Sequence, residues 1–219
     1  MKENPWLRVP AEEYEAHMNL PAVGQLACLN TIFAEVYARY APASLVVPGC
    51  ATGNGFEHID PALTQQVVGI DINGAYLDIL RARFPGLAPA LRLIQGPVES
   101  CSLAESSFDL VHAGLIFEYV EPGPAVEKFS EWLAGGGVLS VVLQLPAPSG
   151  RSVSDSDIES VKLLEPVIEL VPPQRLESLA AAHGLEKLES GTVTLPKGKA
   201  FYTGLFRKQQ STSGGKECL

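Results

Sequence analysis

Two features of this sequence have residue types and spacing suited to chemistry. The first is Val46-Val47-Pro48-Gly49-Cys50-Ala51-Thr52-Gly53-Asn54-Gly55, which follows an apolar run and precedes a stretch able to start a helix. Glycines there let backbone approach a ligand closely and take positive φ, and helix-opening amides are free to donate. The pattern is G-x-x-x-G-x-G. It differs from the G-x-G-x-x-G of dinucleotide sites and lacks the Lys-Ser/Thr ending of a phosphate loop. The bland alternative is a turn that needs glycine only to pack strand on helix. The second feature is Asp71, which closes Val67-Val68-Gly69-Ile70-Asp71. Its distance from Gly53 is close to the roughly 20-residue interval at which an acid holds ribose hydroxyls. A carboxylate accepts two such hydrogens at once. The alternative is a helix cap, a role Asn73 can fill itself.

Other residues offer acid–base chemistry with less specificity. His17 is the imidazole candidate for a general base, against the alternative of a packing histidine on a short helix. Glu118 stays open between base, substrate anchor and solvated residue. His58 reads as satisfying a helix end, His112 as sheet-face packing, and His183 as a charge favourable to a helix C-terminus. The four cysteines show neither close pairing nor metal-ligand spacing, so no metal site is expected.

These residues need elements to position them. Apolar runs at Leu45–Val47, Val67–Ile72, Leu91–Ile94, Phe108–Ala113 and Val138–Leu145 predict strands buried on both faces. Helices are expected near Gly55–Ile59, Ala75–Phe84 and Pro124–Leu133, and such alternation predicts a parallel sheet. Gln95–Ser107 reads as a loop with a short helix. Before the sheet, a short helix is expected at Ala11–Met18. A longer one follows from Pro21 to Tyr40, capped by Asn19, with Leu26, Leu29, Phe33 and Val36 on one face. After it come a strand-like piece at Val167–Val171, a helix at Gln174–His183 and strands at Leu188–Leu195 and Ala200–Arg207. Pro196-Lys197-Gly198 is too short to join those last two strands other than as an antiparallel hairpin.

As an ordered set these motifs resemble the class I S-adenosylmethionine-dependent methyltransferases over about Ser44 to Lys208. Gly49–Gly55 looks like their first motif, Asp71 like their ribose acid, and Phe108-Asp109-Leu110-Val111 like their fourth strand. Leu133-Ala134-Gly135-Gly136-Gly137-Val138-Leu139 looks like the turn into their fifth, and the terminal hairpin like their sixth and seventh. The resemblance implies a doubly wound α/β fold with a seven-stranded, mostly parallel sheet and a C-terminal antiparallel hairpin, Rossmann-like. Residues 1–43 would form a cap and helix, 44–208 the cofactor-binding domain and 209–219 a polar tail.

It further implies S-adenosylmethionine as cofactor, against Gly49, Cys50, Ala51, Thr52, Gly53, Asp71, Ile72, Val98, Glu99, Ala113 and Gly114. His17 and Glu118 are then the candidate catalytic groups, with Tyr14, His17, Phe117 and Tyr119 around the substrate. This sequence departs from the family pattern where Val47 replaces an acid, Ala51 a glycine and Ala134 a proline. Pro97 and Val98 stand where an Asp often meets the adenine, leaving Glu99 or backbone near Val98 for that contact. A cofactor-holding domain without turnover and a nicotinamide-dependent oxidoreductase are the alternative functions. The glycine spacing and the hairpin speak against the second.

Composition narrows the partners. The 219 residues are 46% hydrophobic and 19% charged, enough for one folded domain. A net charge of −9 disfavours a nonspecific nucleic-acid surface, which needs Lys and Arg clusters. No apolar run approaches the roughly 20 residues of a membrane span, and Met1–Leu7 lacks a signal-peptide core. A cytoplasmic enzyme with a small-molecule substrate is the expectation; nothing in the sequence addresses oligomeric state.

Overall fold

Strand residues of alternating parity enter two different apolar clusters, one on each face of a single sheet. In this computed structural model, which describes residues 4–154 and 156–210, the strands are β1 (Ser44–Pro48), β2 (Gln66–Asp71), β3 (Leu91–Gln95), β4 (Phe108–Gly114), β5 (Leu133–Gln144), β6 (Leu185–Thr194) and β7 (Ala200–Lys208). Their order is β3-β2-β1-β4-β5-β7-β6. The first five are parallel, and β7 pairs antiparallel with both β5 and β6. Val46, Val68 and Val111 face one cluster, built with α4 (Pro122–Trp132) and α5 (Pro173–Ala182). Leu45, Val47, Val67 and Leu110 face the other, built with α2 (Gln25–Tyr40) and α3 (Gly74–Arg83). Burial on both faces is why these strands are apolar without alternation.

A third, smaller cluster lies apart from both. Val9, Val161 and Leu164 form it, with Trp6, Tyr14 and Ile168 packed alongside. Its parts come from two distant stretches of the chain: a 3₁₀ turn at Pro5–Arg8 with α1 (Ala11–Asn19), and a 3₁₀ helix at Ser160–Val167 between β5 and α5. Together they cover the carboxyl ends of the strands. That is where an open α/β sheet binds ligands, at the point where the chain, having run outward from β1 to β3, returns to β4 beside β1.

Three expected elements differ. Asn19 does not cap the long helix but ends α1. The Leu20 carbonyl accepts Val23 N at 2.8 Å and Gly24 N at 2.9 Å, and α2 starts only after Gly24, whose φ of 62° lets the chain reverse. The stretch after the glycine loop makes only a 3₁₀ turn, Phe56–His58. Pro61 disfavours helical backbone at Asp60 and stops it there. Val167–Val171 is not a strand. It leaves the 3₁₀ helix and touches the sheet side through Glu169 N donating to Glu118 O at 3.0 Å. The tail expected over 209–219 lies outside the described residues from 211 onward, Cys218 included. Among the described residues no helix is long and apolar enough to cross a membrane.

Candidate active site

A cavity of about 240 Å³ opens at the strand ends and divides into two halves. One half is made by the glycine loop and the ends of β1 to β4, the other by the cap, the 145–172 connection and the hairpin tip.

Backbone geometry builds the first half. Gly49 sits at φ 68°, left-handed backbone that favours glycine, and a Cβ there would press on the tip of the Ile116 side chain at 2.9 Å. Ala51 takes φ 45°, left-handed backbone that costs a residue with a Cβ about 1–2 kcal/mol; the glycine the family usually has would be free of that. Asp71 holds this half together. Its Oδ2 accepts Ala51 N at 2.9 Å, and its Oδ1 accepts Asn73 N at 2.8 Å. Burial raises the Asp71 pKa, and the amides of Asn73, Ala51 and Ile72 work against that rise. An ionised carboxyl has about four lone-pair sites, so it can serve the loop and still accept hydroxyls from the cavity. Gly96 borders the same half with open space where a Cβ would stand.

Glu118 dominates the second half. It is 3% exposed. Its Oε1 accepts Gln144 N at 2.6 Å, while Oε2 is buried without a hydrogen-bond partner. Desolvation lifts its pKa to about 7, with the Gln144 amide pulling the other way. A carboxyl poised there can accept a proton at neutral pH. His17 Nδ1 pairs with Ser156 Oγ at 2.9 Å, so Nε2 is the atom the ring can offer the cavity. Burial first, and Lys199 second, lower its pKa and keep it neutral. Leu115, directly after β4, borders the cavity at φ 55°, the kind of backbone strain that clusters at functional sites.

The cap closes over both halves through aromatic rings. Tyr14 stacks on Tyr76 at 5.7 Å, and Trp6 meets Tyr14 and Tyr119 edge-on at 5.7 and 5.1 Å. Tyr76 Oη donates to Val9 O, and Asn73 Nδ2 donates to Trp6 O. Glu15 on α1 accepts a fork of bonds from Arg83 and one from Thr52 Oγ1. Cap and glycine loop are thus tied to one another.

Of the residues expected at the site, Tyr14, His17, Gly49, Ala51, Asp71, Ile72, Val98, Glu99, Gly114, Glu118 and Tyr119 border the cavity. The others lie elsewhere. Cys50, Ala113 and Phe117 are buried in the apolar clusters, and Cys50 Sγ would lie 3.0 Å from a Cβ on Gly69. Thr52 and Gly53 face a separate shallow pocket beside Arg83. His58 bonds Asn30 Oδ1, His112 is buried against Phe33 and Ser140, and His183 caps the end of α5. The sequence reading missed Trp6, Gln25, Gln144, Ser152 and Lys199, all of which border the cavity. No motif marks them, because each comes from a different stretch of chain. Among the described residues no cluster of His, Cys, Asp or Glu could hold a metal ion.

Strand order, the reversed β7 and a crevice at the ends of β1 and β4 define the class: the chain carries the fold of the class I S-adenosylmethionine-dependent methyltransferases. The family model described as a methyltransferase domain matches residues 46–141. No curated protein sequence matches the chain. Among solved structures, an S-adenosylmethionine-dependent methyltransferase from Mesorhizobium loti is similar at 18% identity and TM-score 0.61, over 75% of this chain and 90% of that one. Geranyl diphosphate C-methyltransferase from Streptomyces coelicolor, solved with Mg2+, geranyl diphosphate and S-adenosyl-L-homocysteine, is similar at 12% identity and TM-score 0.66, over 89% and 86%. The (4+2)-cyclase SpnF is similar at 18% identity and TM-score 0.65, over 83% and 81%.

Proposed function

We propose that this protein transfers the methyl group of S-adenosylmethionine to a small molecule, inside a cavity that its N-terminal cap closes. The observation that carries the reading is the join of two unlike half-sites in one cavity. A glycine-loop and Asp71 half is fitted to a nucleoside, and an enclosed half holds a buried carboxyl with a free oxygen. Asp71 would hold the ribose hydroxyls, the backbone of Gly49 and Ala51 would run beside the cofactor, and Gly96, Val98 and Glu99 would border its base. When bound, the cofactor supplies an electrophilic methyl group on a sulfonium. Tyr14, Trp6 and Tyr119 exclude water and fix the acceptor's approach. Glu118 accepts the proton that the acceptor's nucleophile sheds. The acceptor is small because the cavity is covered, and the net charge of −9 weighs against a nucleic acid.

A second reading, binding without methyl transfer, is favoured by one observation: the cyclase SpnF has this fold. Turnover of labelled methyl donor with cell metabolites separates the two. Binding itself is tested first. S-adenosylhomocysteine is expected to raise the melting temperature by mass action. No shift at millimolar ligand, with a shift by NAD, would sink both the cofactor and the proposed activity.

Asp71→Ala is expected to weaken S-adenosylhomocysteine by about 1.5–3 kcal/mol, the range for a hydrogen bond to a charged group. It is also expected to melt earlier, because Ala51 N and Asn73 N lose their acceptor. Asp71→Asn keeps an acceptor oxygen and should recover part of the stability but little of the affinity. Titration calorimetry with paired melts tests this; an unchanged dissociation constant would mean that Asp71 serves the loop alone.

A further inference from the structure

The acceptor half of the cavity holds a second buried charge that the methyl-transfer scheme leaves unused. Lys199, at the tip of the β6–β7 hairpin, is only 6% exposed and borders the cavity. Its Nζ donates to Ser152 O at 2.5 Å. Among the described residues it has no salt-bridge partner. Glu165, the acid whose charge acts on it, is exposed and accepts Ser152 N and Val153 N instead. An ammonium has three donors, and a buried charge is costly unless something pairs with it. Desolvation accordingly lowers the Lys199 pKa, and the neighbouring His17 is held neutral.

Lys199 and Glu118 belong to one rigid chain of hydrogen bonds. Gln144 N donates to Glu118 Oε1, Gln144 Nε2 donates to Ser152 O at 2.7 Å, and Lys199 Nζ donates to the same oxygen. Gln25 Nε2 reaches Gln144 Oε1 at 3.4 Å. The cavity is therefore bordered by one cationic donor and, joined to it through these bonds, one carboxyl whose buried Oε2 has no partner. The same cavity is lined by the apolar side chains Met18, Val153, Val161, Leu164 and Ile168.

We propose that the acceptor is a small carboxylic acid. Its carboxylate pairs with Lys199 Nζ, its apolar body lies against the cap, and its nucleophile, a hydroxyl or amine, hydrogen-bonds Glu118 Oε2. On transfer a bond forms from that oxygen or nitrogen to the methyl carbon, the carbon–sulfur bond breaks with its electron pair left on sulfur, and the nucleophile's proton passes to Glu118. One ammonium balances one negative charge. A diphosphate would bring more charge than Lys199 offsets into a cavity that already holds Asp71 and Glu118. This assignment rests on the proposed methyl transfer and names its substrate class.

The test uses the full chain saturated with S-adenosylhomocysteine. Salicylate, mandelate and phenyllactate are titrated by calorimetry, each beside its primary amide. The acids are expected to bind about tenfold or more tightly than the amides, the size of one hydrogen bond to a charged group. Lys199→Met is expected to erase that preference while S-adenosylhomocysteine affinity and melting temperature hold. Should it fold poorly, Lys199→Gln, whose amide still donates to Ser152 O, carries the same expectation. Equal binding of acid and amide, no binding of either, or a preference that survives at position 199 overturns the carboxylate assignment alone. If S-adenosylhomocysteine itself fails to bind, the cofactor reading falls, and this assignment with it.

Discussion

Glu118→Gln is expected to melt at a higher temperature than the native chain above pH 7, and to lose methyl transfer. The native carboxyl titrates near 4.5 when unfolded and about 7 when folded. Between those values the folded state holds the extra proton, so native stability falls as pH rises through the window. Above about pH 7 the full penalty of an ionised buried carboxyl is present, on the order of 3 kcal/mol. Glutamine has no charge to bury, and its side-chain oxygen can still accept Gln144 N. His112 has the opposite slope. Burial lowers its pKa from 6.5 to about 4, so the unfolded state binds the extra proton there, and stability is lost as pH falls from 6.5 toward 4. In the native chain the two slopes largely offset one another between pH 4.5 and 6.5. In the variant the Glu118 slope is gone and that of His112 remains, contributing a climb of about 3 kcal/mol across that range. His17, with its lowered pKa, adds to the climb, and Asp71, with its raised one, subtracts at the acid end. Thermal melts at several pH values, with turnover of labelled methyl donor, measure both effects. A variant that melts below the native chain at pH 8, or that still transfers methyl groups, would falsify the role given to Glu118.

The half of the site that runs along the chain from Gly49 to Asp71 was legible in the sequence; of the half assembled from distant segments, Tyr14, His17, Glu118 and Tyr119 were legible and Gln25, Gln144, Ser152 and Lys199 were not. Gly49, Ala51 and Asp71 announce themselves because a turn and a strand end fix them locally. The five parallel strands are legible for a related reason: helices on both faces leave no polar side to confuse the apolar runs. Phe117 and Tyr119 show the limit. Both follow β4 and both are aromatic, yet Phe117 packs against Phe129 in the core while Tyr119 meets Trp6 at the cavity. Their spacing places both beside the strand end, but only the packing decides which one enters the core. Lys199 was visible as a hairpin residue, and its burial depends on Ser152, 47 positions away. The Val167–Val171 misreading has the same root. Ile168 there packs on the cap, Val171 enters the core beside the sheet and Val167 is exposed, none of them in a strand, and composition alone does not tell those fates apart.

Deleting Met1 to Met18 is expected to abolish turnover and to weaken S-adenosylhomocysteine at least about tenfold, while the domain still folds. From sequence, the cofactor motifs all lie after Ser44, which predicts a lid whose loss weakens binding only modestly. The contacts argue for more. Tyr14 stacks on Tyr76 and lies close enough to Asp71 to feel its charge. Glu15 ties α1 to Thr52 in the glycine loop and to Arg83 on α3, and Asn73 beside Asp71 donates to Trp6 O. Removing the segment opens both halves to water, frees the loop and loses an aromatic wall. Folding should survive because Val9, Val161 and Leu164 form a cluster separate from the two that cover the sheet. The cost is that Val161, Leu164 and Tyr76 become exposed, at about 1.5–3 kcal/mol for each large side chain uncovered, so the melting temperature should drop by on the order of 10–30 °C. Calorimetry and a melt on the truncated chain give both numbers. Unchanged affinity with lost turnover would reduce the segment to a lid. Loss of the folding transition altogether would make it part of the core. The point variant Glu15→Ala divides the effect further: it cuts the tie to Arg83 and Thr52 but leaves the rings in place, so it should weaken S-adenosylhomocysteine without moving the melting temperature as far.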